Sequence, residues 1–232
     1  MDTRYLKYIV AFLFTISCTH WAASQNNNFS ITVGADFPYQ NYFGLGYEFS
    51  NYQVVLRTGF MPNSYSKTIS DILTHLNVDT RYTEIIDSAF DGAWMNSVGG
   101  YYVFGKSCNF HVGPELRMDQ ITFKQTGAEL LEVLTGREVT SSLLTASSVF
   151  MNSELISIGA RGGYALPIDK SKQHFLNFDL SLFKIIGVRS FITINEENQP
   201  YLNETFSQRL WDDVFKENGF FGGIGVSYKY CF

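Results

Sequence analysis

Eight segments of this chain alternate apolar and polar residues, and the connections between them alternate in length. A period of two places successive side chains on opposite faces of a β-strand. The segments are residues 29–37, 43–49, 52–60, 94–104, 110–118, 156–166, 176–182 and 220–232. Short connections at 50–51, 105–107 and 167–173 alternate with long ones at 62–92, before Met151 and at 188–218. An even number of strands, with short turns on one side and long loops on the other, is typical of a transmembrane β-barrel.

The predicted fold is all-β: an eight-stranded, antiparallel, up-and-down transmembrane barrel with long, partly helical extracellular loops. With the N-terminus in the periplasm, the three short turns face the periplasm, and the long loops and the short connection at 38–41 face outside. A soluble half-buried barrel shows the same alternation with its apolar face turned inward, but it has no reason to sort its loops by side. Residues 121–139 or 191–206 leave room for one more hairpin, so ten strands is the alternative.

The first 24 residues have the pattern of a secretory signal peptide. Two basic residues precede an apolar run at 8–17, and small residues at 22–24 suit cleavage. A run of that length is too short for a membrane-spanning helix, which needs about 20 residues. We therefore divide the chain into a signal peptide at 1–24 and an outer-membrane barrel at 25–232. The alternative is lipoprotein processing with lipidation at Cys18.

The composition favours β-structure and excludes one class of partner. The chain has 21 Phe and 14 Tyr and only 17% charged residues, which suits strands and interfacial aromatic belts better than helices. A formal net charge of −5 argues against nucleic acid, because phosphate binding needs a basic face. No Cys-x-x-Cys or His-x-x-x-His spacing occurs, so we expect no metal and no cofactor. Cys108 and Cys231 belong to opposite walls of the predicted barrel, so we expect no disulfide between them.

If the apolar faces point to lipid, the opposite faces line the interior and carry charges that should pair. These interior charges are Glu48, Arg57, Glu115, Arg117, Arg161, Asp179 and Lys229. We expect Arg161 to meet Asp179 and Glu115. We expect Glu48 to face Arg57 across the tight turn between the second and third strands. Because buried charges are tolerated when paired, and an eight-stranded barrel is just wide enough for side chains to fill it, the sequence predicts a plugged polar lumen.

Two of the long loops carry apolar residues at helical spacing. In the first loop these are Ile69, Ile72, Leu73 and Leu76, and in the last they are Phe206, Leu210, Trp211, Val214 and Phe215. Apolar residues three and four positions apart form one face of an amphipathic helix. We expect these helices to pack on each other as a cap over the barrel mouth. The alternatives are helices that lie in the outer-leaflet interface and helices that grip an apolar ligand.

The last segment ends on its apolar phase. Tyr228, Tyr230 and Phe232 share one face with Ile224 and Val226. A closing strand that ends on an aromatic residue resembles that of bacterial outer-membrane β-barrels. The whole chain after the signal peptide is similar in architecture to the small barrels typified by the OmpA transmembrane domain and OmpX. The resemblance implies a monomer in the bacterial outer membrane, surrounded by lipids and lipopolysaccharide, whose barrel-assembly machinery recognises Tyr228, Tyr230 and Phe232 as an assembly signal.

The resemblance specifies the fold more closely than the function. We expect a non-enzymatic protein with a structural, surface-binding or adhesive role through its extracellular loops, and a surface ligand that the sequence does not name. One alternative is a narrow, porin-like transport barrel for small or apolar solutes. Another is a lipid A-modifying enzyme. The chain has no His-x-Ser, and the candidate base for such an enzyme is His75, which lies near Asp71 and Asp79.

Overall fold

The chain folds into a closed antiparallel β-barrel. The computed structural model describes residues 29–76, 93–104, 110–126, 148–194, 197–198, 200–212 and 216–232, with the single positions 78, 83, 128 and 132. The predicted signal peptide, Cys18, Asp79, Cys108, Val214 and Phe215 lie outside these residues.

Eight long strands form the barrel within the described residues. They are β1 (Phe29–Phe37), β2 (Gln40–Phe49), β3 (Tyr52–Phe60), β4 (Trp94–Phe104), β5 (Phe110–Thr126), β6 (Ser148–Pro167), β7 (His174–Ile194) and β9 (Phe220–Cys231). The two-residue strand β8 (Glu197–Asn198) pairs with the end of β7. The described loop residues include the helices α1 (Asn63–His75), α2 (Pro200–Leu210) and α3 (Lys216–Asn218). None of the described helices is long and apolar enough to cross a membrane.

Each barrel strand pairs antiparallel with its two neighbours, and the sheet closes on itself. Strands β1 to β7 follow one another around the barrel, and β9 lies between β7 and β1. The closing pair runs from Ser30 opposite Cys231 to Phe37 opposite Ile224. The prediction of an eight-stranded, up-and-down barrel with partly helical loops is confirmed. In the described residues the extra hairpin adds no barrel strand, because 121–126 continue β5, 191–194 continue β7, and β8 pairs with the end of β7 over two residues only.

The outer wall of the barrel is apolar and the inner wall is polar. Leu180 on β7 and Ile224 on β9 point outward and are 66% and 62% exposed. Exposed apolar side chains occur on every barrel strand, for example Val33, Leu45, Leu56, Val98, Val112, Ile158, Leu180 and Ile224. Inward positions of the same strands hold buried polar residues such as Thr32, Ser97 and Ser227. The polarity of the barrel is therefore the reverse of that of a soluble barrel.

Strands β5, β6 and β7 rise beyond the others on one side of the barrel. They contain 17, 20 and 21 residues, so the predicted segments 110–118, 156–166 and 176–182 are too short. In this extension the polarity reverses: Met151 and Leu155 point inward and are 1% exposed, whereas Asn152 and Glu154 point outward. Because the sense of the alternation changes partway along each strand, a single apolar face does not follow the strand to its end.

A β-bulge in β7 also interrupts the alternation pattern of that strand in the sequence. The register shifts between Ile156 and Ser157 of β6, which leaves Ile186 of β7 as an extra residue. Odd-numbered residues of β7 point inward below Ile186, and even-numbered residues point inward above it. A bulge of this kind changes the phase of a strand while the pairing continues on either side.

Helix α2 covers the open edge of β7 above the barrel. Strand β9 pairs with β7 only as far as Lys184, so the next residues of β7 have no barrel strand on that side. The Ser190 N–H donates to Ser207 Oγ of α2 at 2.8 Å, and the Ile192 N–H donates to Asn203 Oδ1 at 2.5 Å. Side chains of the helix thus satisfy backbone donors that an uncovered strand edge would expose.

An apolar core joins the helices to the extended strands. Its buried members include Met61, Leu73, Met95, Ile121, Val149, Met151, Leu155, Ile185, Ile192 and Phe206. Tyr65 of α1 also packs edge-on against Phe37 at the top of β1, with ring centroids 5.2 Å apart. Helices α1 and α2 therefore pack on the mouth of the barrel as one apolar layer.

Aromatic rings lie next to one another around the end of the barrel that carries the short turns, which we call the turn end. Neighbouring pairs are Phe29 with Tyr47, Tyr47 with Phe49, Phe49 with Tyr52, Tyr52 with Tyr102, Tyr102 with Phe104, Phe110 with Tyr164, and Tyr230 with Phe232. Their centroids are 4.8–6.3 Å apart. Girdles of aromatic residues of this kind mark the ends of the apolar band in barrels that span membranes.

Candidate functional site

A buried arginine occupies the centre of the barrel interior. Arg161 shares the polar phase of β6, so it points inward, and it is 1% exposed. Its guanidinium donates two hydrogen bonds to the Asp36 carboxylate of β1, at 2.9 and 2.7 Å. Its Nε donates to Glu115 of β5 at 2.7 Å, and Asp179 of β7 lies 3.8 Å away. The structure therefore brings Arg161, Glu115 and Asp179 together and links four strands through one side chain.

Arg57 of β3 extends this cluster to the other side of the lumen. It donates to Glu115 at 3.0 Å and to the Tyr101 hydroxyl at 2.6 Å, and Tyr101 donates to Glu115 at 2.5 Å. His111 Nε2 lies 2.9 Å from Asp179. The central network consists of Asp36, Arg57, Tyr101, His111, Glu115, Arg161 and Asp179. Its carboxylates are at most 3% exposed, and each has a cationic or histidine partner, as buried charges require.

The expected pairing of Glu48 with Arg57 is wrong. In the register of β2 and β3, Glu48 is opposite Gln53 close to the turn, whereas Arg57 is opposite Gly44, deeper in the barrel. Glu48 instead accepts hydrogen bonds from Lys229 at 2.7 Å and from Gln53 at 3.0 Å. The alternation gives the face of each side chain, but the depth along the barrel axis depends on register, which alternation alone does not specify.

Arg117 lies above the central network, toward the loops. Its Nε donates to Asp119 at 2.7 Å, and its Nη2 lies 2.7 Å from the sulfur of Met95. The guanidinium carbon is 5.0–5.7 Å from the ring centroids of Tyr39, Phe183 and Phe221. These are cation–π distances. Arg117 and its rings form a second layer across the lumen.

Four residues of these two layers are absent from the predicted set of interior charges: Asp36, Tyr101, His111 and Asp119. His111 occupies the polar phase of β5. Asp36 occupies the polar phase of β1, so its charge is a signal that the sequence does contain. Tyr101 lies on β4, whose two faces both carry aromatic residues, and its direction is not evident from alternation. Asp119 comes directly after the predicted end of the fifth strand at residue 118. Because the strand is longer than predicted, Asp119 is left out of the predicted interior charges.

A polar recess lies below the central network, at the turn end of the barrel. It has a volume of about 130 Å³ and is lined by Glu48, Gln53, His111, Lys172 and Lys229 among others. The Lys229 and Glu48 side chains are 11% and 34% exposed. This turn-side recess is separated from the mouth by the central network and by the Arg117 layer.

An apolar mouth cavity of about 80 Å³ lies above the Arg117 layer. Helix α1 contributes Ile69, Ile72, Leu73 and the following Leu76, and the top of β9 contributes Phe220 and Phe221. Leu73 is 7% exposed, whereas Ile72 and Leu76 are 48% and 49% exposed. The predicted apolar face of the first loop helix therefore forms one wall of this cavity.

The second predicted helix packs on the same apolar core. Phe206 of α2 is 1% exposed, and Trp211, which follows the helix, packs against the core while partly exposed. Leu210 is the last residue of α2.

The described histidines contact oxygen atoms in three different places. His75 Nδ1 lies 2.7 Å from the Asp71 carbonyl of its own helix, His111 contacts Asp179, and His174 contacts Tyr228 at the turn end. Within the described residues, no group of three or more His, Cys, Asp or Glu side chains could hold a metal ion.

The closing strand presents its aromatic residues to the outside. Tyr228 and Phe232 are 43% and 53% exposed, and the Tyr230 ring lies 5.0 Å from that of Phe232. The Phe232 N–H donates to the Phe29 carbonyl at 3.0 Å, which joins the last residue of the chain to the start of β1.

Comparisons with known proteins find likeness in structure but not in sequence. No family model matches the chain, and no curated protein matches it. Among solved structures it is similar to CarO of Acinetobacter baumannii, with 9% identity, a TM-score of 0.34 and coverage of 90% of this chain and 100% of that chain. It is also similar to a major outer membrane protein from Thermus thermophilus, with 12% identity, a TM-score of 0.40 and coverage of 88% and 98%. For CarO2 of A. baumannii the identity is 9%, the TM-score 0.35 and the coverage 88% and 97%.

Likenesses this distant support neither a family assignment nor a function. The class of the protein follows from its own geometry: a small, closed, eight-stranded β-barrel with an apolar outer wall and a charged interior.

Proposed function

We propose that this chain is an integral β-barrel protein of the bacterial outer membrane, with a plugged lumen and a non-enzymatic role. The apolar outer wall supports the membrane location, because such a surface is disfavoured in water. From Tyr52 to Phe60, β3 rises about 20 Å along the axis, at about 3.3 Å per residue and a tilt of about 40°. With its aromatic rim this height fits the apolar band of outer-membrane barrels, which is about 25 Å tall.

The observation that carries the plugged lumen is the position of Arg161. Its contacts reach Asp36, Glu115 and Asp179 on three other strands, so the central network crosses the interior. A carboxylate and a guanidinium that are buried together lose their hydration and are held by each other. Moving them apart to admit a solute is therefore costly, and the protein acts through its surfaces.

The proposed partners follow from those surfaces. Outer-membrane lipids and lipopolysaccharide contact the outer wall, and the barrel-assembly machinery recognises Tyr228, Tyr230 and Phe232. A closed sheet has no free barrel edge for a second copy, which favours a monomer. The extended strands and the loop helices offer a structural or adhesive surface to a ligand outside the cell.

Planar lipid bilayers test the plug. We expect purified, refolded wild-type protein to show no single-channel openings, and Arg161→Ser to show them because the central network loses its main cation. Lys229→Ser is the matched control, since Lys229 lies in the turn-side recess and should leave the bilayer silent. A difference in gel migration between unheated and boiled samples establishes that each variant is folded. Stable openings by the wild-type protein would overturn the plugged lumen.

Cell fractionation and lipid analysis test the location and the absence of catalysis. The protein should remain with the outer-membrane fraction, and its recovery in the aqueous fraction without detergent would contradict the membrane location. Lipid A from cells that produce wild type or His75→Ala should be identical. A modification that the wild type makes and the variant does not would establish an enzyme.

Narrow transport is the second candidate function, and one observation favours it. The turn-side recess and the mouth cavity approach the central network from opposite ends of the lumen. A path for a small or apolar solute would then need only the central network and the Arg117 layer to rearrange. Wild-type conductance in the bilayer experiment would support this candidate against the plugged barrel.

A further inference from the structure

We infer that the mouth cavity binds the hydrocarbon tail of an amphiphile that enters sideways from the outer leaflet. The inference rests on the proposed function, because it places the rim of the barrel in that leaflet. It goes beyond that function by assigning a ligand class to a site that a plugged structural barrel does not need.

The first support is the chemistry of the cavity wall. Ile69, Ile72, Leu73 and Leu76 supply one aliphatic side, and Phe220 and Phe221 supply an aromatic side. A hydrocarbon chain gains dispersion contacts on both sides and loses no hydrogen bonds on entering.

The second support is the state of the charged floor. Arg117 is 1% exposed, donates to Asp119 at 2.7 Å and lies among the rings of Tyr39, Phe183 and Phe221. Because this guanidinium already has a carboxylate partner, the floor offers little to an anionic head group. The end of the ligand that reaches the floor is therefore its tail, and the head group stays outside.

The third support is the size of the cavity. An aliphatic cavity of roughly 150 Å³ in another protein binds benzene. The mouth cavity, at about 80 Å³, is smaller, which suits the narrow tip of an alkyl chain better than a ring. The rest of the chain would lie along the mouth of the cavity.

The fourth support is the continuity of the cavity with the outer wall. Phe220 is both a wall of the cavity and the uppermost outward residue of β9, and it is 59% exposed. Ile72 and Leu76, on the facing side, are about half exposed. A chain that lies against the apolar outer wall passes between these residues to reach the cavity, beside the Lys184 ammonium, which lies 4.8 Å from the centre of the Phe220 ring.

Photo-crosslinking in nanodiscs of dimyristoylphosphatidylcholine tests the inference with the whole barrel. One arm uses palmitic acid with a diazirine at the chain terminus, and the other uses phosphatidylcholine with the same diazirine chain. Leu155 and Ile185 line the cavity and are 1% and 5% exposed, so bulk lipid at the outer wall cannot label them. We expect label on these two residues, and we expect unlabelled palmitate to compete it away.

A cavity-filling variant supplies the control. Leu73→Trp should lose the label at Leu155 and Ile185, and Leu180→Trp, which adds the same ring to the outer wall, should keep it. Ile69→Trp replaces Leu73→Trp if the latter lacks heat-modifiable gel migration. Label in either arm supports the site, and the arm names the source as a free fatty acid or a membrane lipid. Label confined to outward residues, or label that survives both cavity variants, overturns the site even if the barrel is folded and closed.

Discussion

At the scale of the residue, Arg161 is the cation that pairs with the largest number of buried carboxylates in the central network. Arg161→Ala leaves Asp36 and Glu115 buried with less positive charge, and breaking a buried pair in this way costs about 3–5 kcal/mol. We expect the urea midpoint of unfolding in lipid vesicles to fall accordingly. Arg189→Ala, on the exposed face of the β7 extension, should change stability by less than about 0.5 kcal/mol. Equal midpoints for the two variants would show that the central network does not hold the barrel together.

Two adjacent glycines on β6 give a second prediction at this scale. A Cβ on Gly163 would overlap the Asp179 carboxylate and lie 2.9 Å from His111, whereas a Cβ on Gly162 would meet no described atom closer than 3.4 Å. Gly163→Ala should therefore cost about 1–3 kcal/mol by overpacking the lumen. Gly162→Ala should lie within about 0.5 kcal/mol of wild type. Both stabilities are measured by urea unfolding. Similar losses for the two variants would contradict a tightly packed lumen face at Gly163 and an open outer face at Gly162.

At the scale of the element, α2 protects the upper edge of β7. Asn203→Ala removes the acceptor of the Ile192 N–H, and a buried donor left unpaired costs about 1–3 kcal/mol. We expect amide hydrogen exchange at Ile192 to accelerate while the barrel strands keep their protection. Gln208→Ala is the control, because Gln208 is exposed and donates to the exposed Asp212 of the next turn. Unchanged exchange in Asn203→Ala would mean that the helix does not cover this edge in solution.

The bulge in β7 gives a second prediction for an element. Deletion of Ile186 restores a regular strand with every inward residue still inward, so the protein should keep heat-modifiable migration. Deletion of Leu180 leaves the residues between it and the bulge one position out of phase, which turns Phe183 and Ile185 outward and Lys184 inward. That variant should lose heat-modifiable migration. Folding of both deletions to the same extent would mean that the register of β7 adapts freely.

The elements also show how far the sequence alone can go. Strands β1, β3 and β4 have the predicted bounds. Strands β1 and β3 keep one polarity from end to end, whereas β4 has aromatic residues on both faces. Strands β5 to β7 extend further than predicted, because their polarity reverses and β7 carries a bulge. In the interior the same limit applies: alternation places Glu48 and Arg57 on the inner face, but only the register gives them Lys229 and Glu115 as partners.

At the scale of the whole molecule, the barrel is built for two surroundings. Between the aromatic rim and Phe220 the apolar residues face out and the charges face in. Above that level Met151 and Leu155 face in and Glu154 faces out, as in a water-soluble domain. The level at which the polarity reverses marks the expected membrane surface on the loop side, and the mouth cavity lies at this boundary.

An arginine scan across this boundary tests the arrangement of the whole molecule. Leu180 lies midway up the outer wall, and Leu180→Arg should cost about 2–4 kcal/mol in lipid vesicles, as a charge near the bilayer midplane does. Phe150 points outward from the extension of β6 and is 47% exposed, and Phe150→Arg should cost about 0–1 kcal/mol because it meets water or the interface. Urea unfolding in vesicles measures both. A large loss of stability at both positions would place the extension in lipid as well. A small loss of stability at both would contradict the membrane location of the barrel.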